Sequence, residues 1–168
     1  MEYTVFNTYM GWMAIAGSGQ GLVSISLPYN SSEEAYYSIG EDIKYTTSSP
    51  YRFKDLIKRL KAYFSGYKVS FPDKLDLSQA TQFQREVWQS ARLIPYGETR
   101  SYGWLAEKVD KPKAARAVGQ ALGKNRLPII IPCHRVICSN DSIGGFSGGL
   151  EMKKHLLHLE AGATPPRL

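Results

Sequence analysis

Residues Ser101–Asn125, SYGWLAEKVDKPKAARAVGQALGKN, read as two helices joined by a tight turn. Ser101 carries the kind of hydroxyl that caps the orphan N–H groups at a helix start, and the helix it opens runs to Val109. Asp110-Lys111 makes the turn. Pro112, whose fixed φ suits a first helical position, opens the second helix. At roughly 100° per residue, Ala114, Ala115, Val118, Ala121 and Leu122 gather on one face, and Arg116 points about 160° away from the centre of that face. The opposite side carries Gly119, Gln120 and Gly123, so apart from one long cation and one amide it is nearly bare. Small residues let a helix backbone come close to a partner, and the pair as a whole predicts a helix-turn-helix.

Working outward toward the amino terminus, Phe83, Val87, Ala91 and Ile94 mark one face of a helix that stops at Pro95-Tyr96-Gly97. Before it lies a polar, extended link through Pro72, Asp73, Asp76 and Ser78, where we place a domain boundary: residues 1–78 and 79–168. The first segment begins with short apolar runs, Tyr3–Phe6, Gly11–Ala16 and Leu22–Leu27, punctuated by a Gly-Ser-Gly-Gln-Gly turn, which fits a hairpin or meander. Residues 29–50 predict a short helix and a loop. From Tyr51 to Ser65, Phe53, Leu56, Ile57, Leu60 and Phe64 recur at helical spacing, with Gly66 placed to end the helix. The expected fold is therefore α/β with two domains: a small amino-terminal β-sheet plus helix domain, and a mostly helical carboxy-terminal domain with a helix-turn-helix.

Toward the carboxyl end the chain reads Ile131-Pro132-Cys133-His134-Arg135-Val136-Ile137, a thiol beside an imidazole in an apolar stretch. Prolines bias their predecessors toward extended backbone, so Cys133 is predicted in a rigid, mostly buried, strand-like segment. Burial alone raises a thiol pKa and leaves it inert, and a working nucleophile there needs a base. His134 is the candidate. Adjacent residues on an extended chain face opposite ways, which favours a bridging water over direct contact. Taken alone, such a pair is more often core packing.

The chain has 168 residues, a net charge of +6, 43% hydrophobic and 21% charged residues, ordinary for a globular protein. Residues 1–80 balance eight basic against eight acidic side chains, whereas residues 81–168 hold thirteen against seven. Between Arg100 and Arg126, Arg100, Lys108, Lys111, Lys113, Arg116, Lys124 and Arg126 face only Glu107 and Asp110, an excess that favours a polyanion. No apolar run approaches the ~20 residues of a membrane span, and Met1-Glu2-Tyr3 opens no signal stretch. The expectation is a cytoplasmic protein with no membrane partner. Cys133 and Cys138 fit neither a disulfide in a reducing compartment nor a zinc site with His155 and His158, so no metal is expected.

These pieces together resemble the O6-alkylguanine-DNA alkyltransferases, the methylated-DNA-protein-cysteine methyltransferases. The resemblance runs through FQREVW (Phe83–Trp88), IPYGETRSYGWLAEKV (Ile94–Val109), PKAARAVGQALGKN (Pro112–Asn125), PIIIPCHRVI (Pro128–Ile137) and FSGGLEMKKHLLHLE (Phe146–Glu160), in order. It implies direct-reversal DNA repair in which a thiolate attacks the alkyl carbon on guanine O6 and the protein is consumed. It also implies that Cys133 is the acceptor, that His134 takes its proton through water, and that Glu160 fixes the imidazole tautomer. Tyr102 would reach the guanine ring, and Asn125 would brace the turn before the cysteine. Pro128 and Phe146 would line the alkyl pocket, the backbone around Ser147 and Gly148 would approach O6, and the carbonyls of Cys133 and Val136 would read the exocyclic amine.

The same resemblance makes duplex DNA containing O6-alkylguanine the partner of a monomer without cofactor. The second helix would enter the minor groove, and Arg116 would fill the space of a nucleotide flipped out of the stack. Tyr102, Ser139, Gln84, Gly103 and Lys111 fall at positions touching the DNA. Two departures stand out: Phe146 replaces a tyrosine common among relatives, and the first half lacks the Cys/His set with which some relatives hold zinc. Two other classes stay open at this stage. A non-catalytic lesion-binding module would carry another residue in place of Cys133, and a Cys/His hydrolase would turn over repeatedly and have no use for the basic helix pair.

Overall fold

Strands β1 (Glu2–Thr8), β2 (Gly11–Ser18) and β3 (Gly21–Ile25) form an antiparallel meander, and β4 (Thr47–Ser48) adds in parallel to β1, in the order β3-β2-β1-β4. β2 is central, and from Met13 to Gly17 every residue is buried, which is why its sequence is a continuous apolar run rather than an alternation. Helix α1 (Ser32–Ser38), capped by Ser31, lays Ala35 against Ala14 and Ala16, with Tyr3, Val5, Trp12 and Tyr36 packed around them. The free edge of β3 is closed by an extended segment: Leu22 N–H donates to the Lys74 carbonyl at 2.9 Å and Asp76 N–H to the Leu22 carbonyl at 2.8 Å. A short 3-10 turn, Pro50–Phe53, leads into α2 (Lys54–Phe64), which buries Leu56, Leu60, Tyr63 and Phe64 and packs against β1. Gly66 ends α2 at φ 92°, letting Tyr67 N–H close on the Ala62 carbonyl at 3.1 Å.

The computed structural model describes residues 1–40 and 46–162, and the chain parts into two compact units between Ser78 and Gln79. The loop expected after α1 falls partly on residues 41–45, outside the described residues.

In the second unit α3 (Gln82–Ala91) starts with a reciprocal capping box in which Thr81 and Gln84 satisfy each other's backbone N–H groups. Trp88 Nε1 donates to the Ala121 carbonyl at 2.8 Å and so ties α3 to α5 (Ala115–Gly123), which also packs on α4 (Tyr102–Lys108). Ser101 caps α4 through Trp104 N–H. The turn between α4 and α5 passes through Asp110 at φ 59°. The last helix among the described residues is α6 (Leu150–Glu160), preceded by Gly149 at φ 95°. Among the described residues no helix is long and apolar enough to cross a membrane.

Local structure departs from the sequence expectation at three places. Helix α3 ends at Ala91, and Ile94, though buried, lies in the following turn. Helix α5 begins at Ala115 rather than Pro112, because Lys111–Ala114 first closes a separate turn through Ala114 N–H and the Lys111 carbonyl. Cys133 is not in a strand. Cys133–Arg135 is a 3-10 turn, with Arg135 N–H donating to the Pro132 carbonyl at 2.9 Å, and the extended backbone resumes only in β6 (Val136–Ile137).

A candidate alkyl-acceptor site beside an exposed helix

Two residues of parallel pairing, Arg100 with Val136 and Ser101 with Ile137, join β5 (Arg100–Ser101) to β6. Because β5 runs directly into α4 and β6 directly follows the cysteine turn, this short ladder holds Tyr102 beside Cys133. The segment before the cysteine is held tightly too. Asn125 Oδ1 accepts from Leu127 N–H at 2.8 Å, while its Nδ2 donates to the Ile131 carbonyl at 3.0 Å and to Cys133 Sγ at 3.2 Å. Within this braced turn Ile129 sits at φ 74°, a region costly for a β-branched residue, and remains only 2% exposed. Asn125 thus contacts the thiol itself; it is not in a left-handed helix-end conformation.

Behind the thiol lies a buried ionic cluster. His134 Nε2 is 2.5 Å from Glu160 Oε2, Arg135 Nε donates to Glu160 Oε1 at 2.7 Å, and Arg135 Nη2 donates to Oε2 at 3.1 Å. Arg135 Nη1 reaches the Ile94 carbonyl at 2.8 Å, and Gly97 N–H donates to Glu160 Oε1 at 3.2 Å. Desolvation pushes the Glu160 pKa up, but the hydrogen bonds from His134 and Arg135 outweigh it and hold the carboxyl down at about 2. Burial lowers the His134 pKa, against the pull of Glu160, so the imidazole stays neutral. A neutral ring with Nε2 on a carboxylate is fixed in the tautomer whose Nδ1 accepts protons.

Burial likewise raises the Cys133 thiol, while the Asn125 hydrogen bond and the charge of Lys153 oppose that rise. Lys153 is fully buried, and its Nζ donates to the Val136 carbonyl at 2.7 Å and the Gly145 carbonyl at 3.1 Å. Among the described residues it has no carboxylate partner, and its Nζ lies 5.8 Å from the Tyr102 ring; burial lowers its pKa, while Cys133 and Cys138 act to raise it. Burial also raises Tyr102, with the two thiols adding to the effect, so its phenol keeps its proton. Arg135 and Lys153 were invisible as site residues in the sequence, where each reads as a solvated cation. Lys153 follows Glu151 and Met152 on a helix whose pattern gives no hint that it faces inward.

Cys133 is 7% exposed and opens onto a cleft of about 370 Å³. Tyr102, Arg116, Gln120, Phe146 and Ser147 line the cleft with it. Pro128, Val136 and Gly148 are not among the lining residues, and Val136 is fully buried with its carbonyl already accepting from Lys153. Ser139 is exposed next to Gly103, where a β-carbon would lie 3.6 Å from the serine hydroxyl. Lys111 is exposed above the Phe83 ring, at 5.0 Å, and Gln84 spends its carbonyl oxygen in the α3 cap. Along α5, Arg116, Ala117, Gln120 and Gly123 form the exposed stripe. No group of three or more His, Cys, Asp or Glu side chains suited to a metal occurs among the described residues.

Two family profiles match this chain: 6-O-methylguanine DNA methyltransferase, ribonuclease-like domain, over residues 1–77, and 6-O-methylguanine DNA methyltransferase, DNA binding domain, over residues 82–162. Curated relatives named methylated-DNA--protein-cysteine methyltransferase are 38% identical in Mycolicibacterium paratuberculosis, covering 100% of this chain and 97% of that one, and 38% identical in Methanosarcina acetivorans, covering 95% and 98%. The crystal structure of Mycobacterium tuberculosis OGT in complex with DNA is 38% identical, with a TM-score of 0.83 over 98% of this chain and 96% of that one.

Proposed function

The chain belongs to the 6-O-methylguanine DNA methyltransferase family, and we propose that it repairs O6-alkylguanine in duplex DNA by one self-consuming transfer of the alkyl group to Cys133. The observation that carries this reading is the opening of a braced, base-backed thiol onto a cleft of about 370 Å³, a size suited to a small organic ligand. That cleft shares Arg116 and Gln120 with an exposed helix. DNA is the partner, acting as a monomer's substrate. A base within the stack cannot bring its alkyl carbon to a buried sulfur, so the nucleotide rotates out into the cleft.

In the reaction the Cys133 S–H gives its proton through water to His134 Nδ1, the sulfur forms a bond to the alkyl carbon, and the carbon–O6 bond breaks. Its electron pair passes to the guanine, which takes back one proton in becoming an ordinary base. Glu160 holds the imidazole and stabilises it once charged. The protonated Tyr102 hydroxyl hydrogen-bonds the guanine as negative charge builds there, and the Lys153 charge favours both thiolate and leaving group. The thioether has no route back to a thiol, so each chain acts once. The test is mass spectrometry after incubation with an O6-methylguanine duplex. The Cys133 peptide should gain one methyl in place of hydrogen, and an unmodified peptide alongside repaired DNA would overturn the reading.

Helix α5 enters the minor groove, and Arg116 takes the place of the extruded nucleotide. Arg116→Ala is expected to slow repair of duplex substrate by about 10- to 100-fold, the equivalent of the few kcal/mol that unstacking costs, and to slow repair of single-stranded substrate much less. Equal losses on both would remove the wedge assignment. Because exposed cations such as Lys111 and Lys113 would meet phosphates, affinity should fall with salt, the log–log slope growing by about 0.9 for each phosphate neutralised. A titration from low to physiological salt reads this directly.

A further inference from the structure

We infer that Gln120 reads the minor-groove edge of the base pair next to the lesion, making repair depend on flanking sequence; this rests on the reading of α5 as the groove-entering helix. Gln120 is exposed on the same stripe as Arg116 and also lines the cleft into which Cys133 opens, so it stands where the nucleotide's path meets the helix surface. Among the described residues its side-chain amide makes no hydrogen bond to the protein, in contrast to the amides of Asn125 and Gln84, which are committed to local structure.

The geometry around it is permissive. Gly119 and Gly123 flank it, and at Gly123 a β-carbon would meet nothing within 4 Å, so the backbone is free to come close to a partner. One helical turn separates Gln120 from Arg116, about 6 Å along the axis. That distance is between one and two base steps of about 3.4 Å. A helix that follows the groove runs oblique to the duplex axis, so its span projected on that axis shortens toward one step, and with Arg116 in the gap left by the lesion Gln120 falls on the neighbouring pair.

The chemistry then sets the direction. In the minor groove A·T and T·A pairs present acceptors alone, whereas guanine adds the N2 amine as a donor. A glutamine amide can donate to guanine N3 and accept from N2 together, but it can make only the donated bond to adenine or thymine. Gln120 therefore favours G·C beside the lesion by about one net hydrogen bond, roughly three- to tenfold in rate.

The test compares single-turnover transfer rates on O6-methylguanine duplexes that differ only in having G·C or A·T neighbours, for the native chain, Gln120→Ala and Gln120→Leu. Alanine is the best helix former and leucine keeps the bulk without the amide. The quantity read is the G·C-to-A·T rate ratio of the native chain divided by that of each variant, which cancels the intrinsic difference in unstacking between sequences. Each protein's rate on free O6-methylguanine base serves as its reference for an intact thiol. A quotient of three to ten for both variants supports the inference. A quotient near one overturns it, and a quotient below one, meaning lost preference for A·T, overturns the minor-groove contact. Absence of transfer from every duplex by the native chain would instead overturn the function on which the inference rests.

Discussion

Cys133→Ala is expected to end alkyl transfer altogether while leaving DNA affinity within about twofold of the native chain. The substitution removes the acceptor atom, and nothing nearby replaces it. Cys138 is the other thiol and is partly exposed, but it lies past β6, lacks the Asn125 hydrogen bond and has no His–Glu pair behind it. Structurally the change is small. One sulfur leaves a site already open to the cleft, and Asn125 keeps its bonds to Ile131 and Leu127. The exposed stripe of α5 is untouched, so the charge and surface that would meet DNA persist. Labelled-methyl transfer and a binding titration on the same variant separate the two effects. Residual transfer at the native rate would move the acceptor elsewhere, and label on Cys138 would say where. Cys133→Ser should be equally inactive, because a hydroxyl is far harder to deprotonate than a thiol and His134 has only a neutral imidazole to offer.

The sequence conveyed the fold class and the helix pair because both rest on local patterns. The apolar run of β2, the helical spacing from Phe53 to Phe64 with Gly66 behind it, and the Ser101 cap are each readable within a dozen residues. Misreadings arose where a turn or a distant partner decides. Pro132 suggested extended backbone, but the peptide after it folds into a 3-10 turn that no propensity marks. Pro112 suggested a helix start, yet Lys111–Ala114 makes a turn of its own first. The β5–β6 ladder is two residues long and pairs positions 36 apart, so no periodicity announces it. Within the site, Cys133 and His134 stood out as adjacent reactive residues, and Arg116 as a lone cation on a bare face. Arg135 and Lys153 look like surface residues until the fold buries them. Glu160 entered only through resemblance, since 26 residues separate it from the histidine it holds. Resemblance also supplied Pro128, Val136 and Gly148, none of which lines the cleft here.

Glu160→Gln is expected to cost about 3–5 kcal/mol of stability, the usual result of removing one partner from a buried ion pair, and to slow transfer by about 10²-fold, within the range for loss of a positioned base. The carboxylate is the hub of its cluster: it accepts from Arg135 twice, from Gly97 and from His134. A neutral amide has one oxygen to offer and leaves the Arg135 guanidinium buried with the Ile94 carbonyl and the face of Tyr96 but no carboxylate to answer its charge. It also ceases to fix the imidazole tautomer, so Nδ1 no longer reliably accepts the thiol proton. The pH dependence distinguishes this from a general loss of packing. The Glu160 pKa falls from 4.5 to about 2 on folding, so its stabilisation is complete above about 4.5 and disappears as pH falls toward 2. His134 is also lowered on folding, so the unfolded chain takes up a proton first as pH falls below about 6.5, and stability declines there too. In the native chain both steps should appear in denaturant midpoints measured from pH 7 to pH 3. In Glu160→Gln the share of that loss due to Glu160 should vanish, leaving a shallower acid limb to which the lowered carboxyls of Glu2 and Asp76 still contribute, while the decline that begins below 6.5 persists, since an imidazole deprived of its carboxylate is still harder to protonate. A variant whose acid limb overlays the native one would mean that the carboxyl is not held ionised by this cluster. The role assigned to it behind Cys133 would then fall as well.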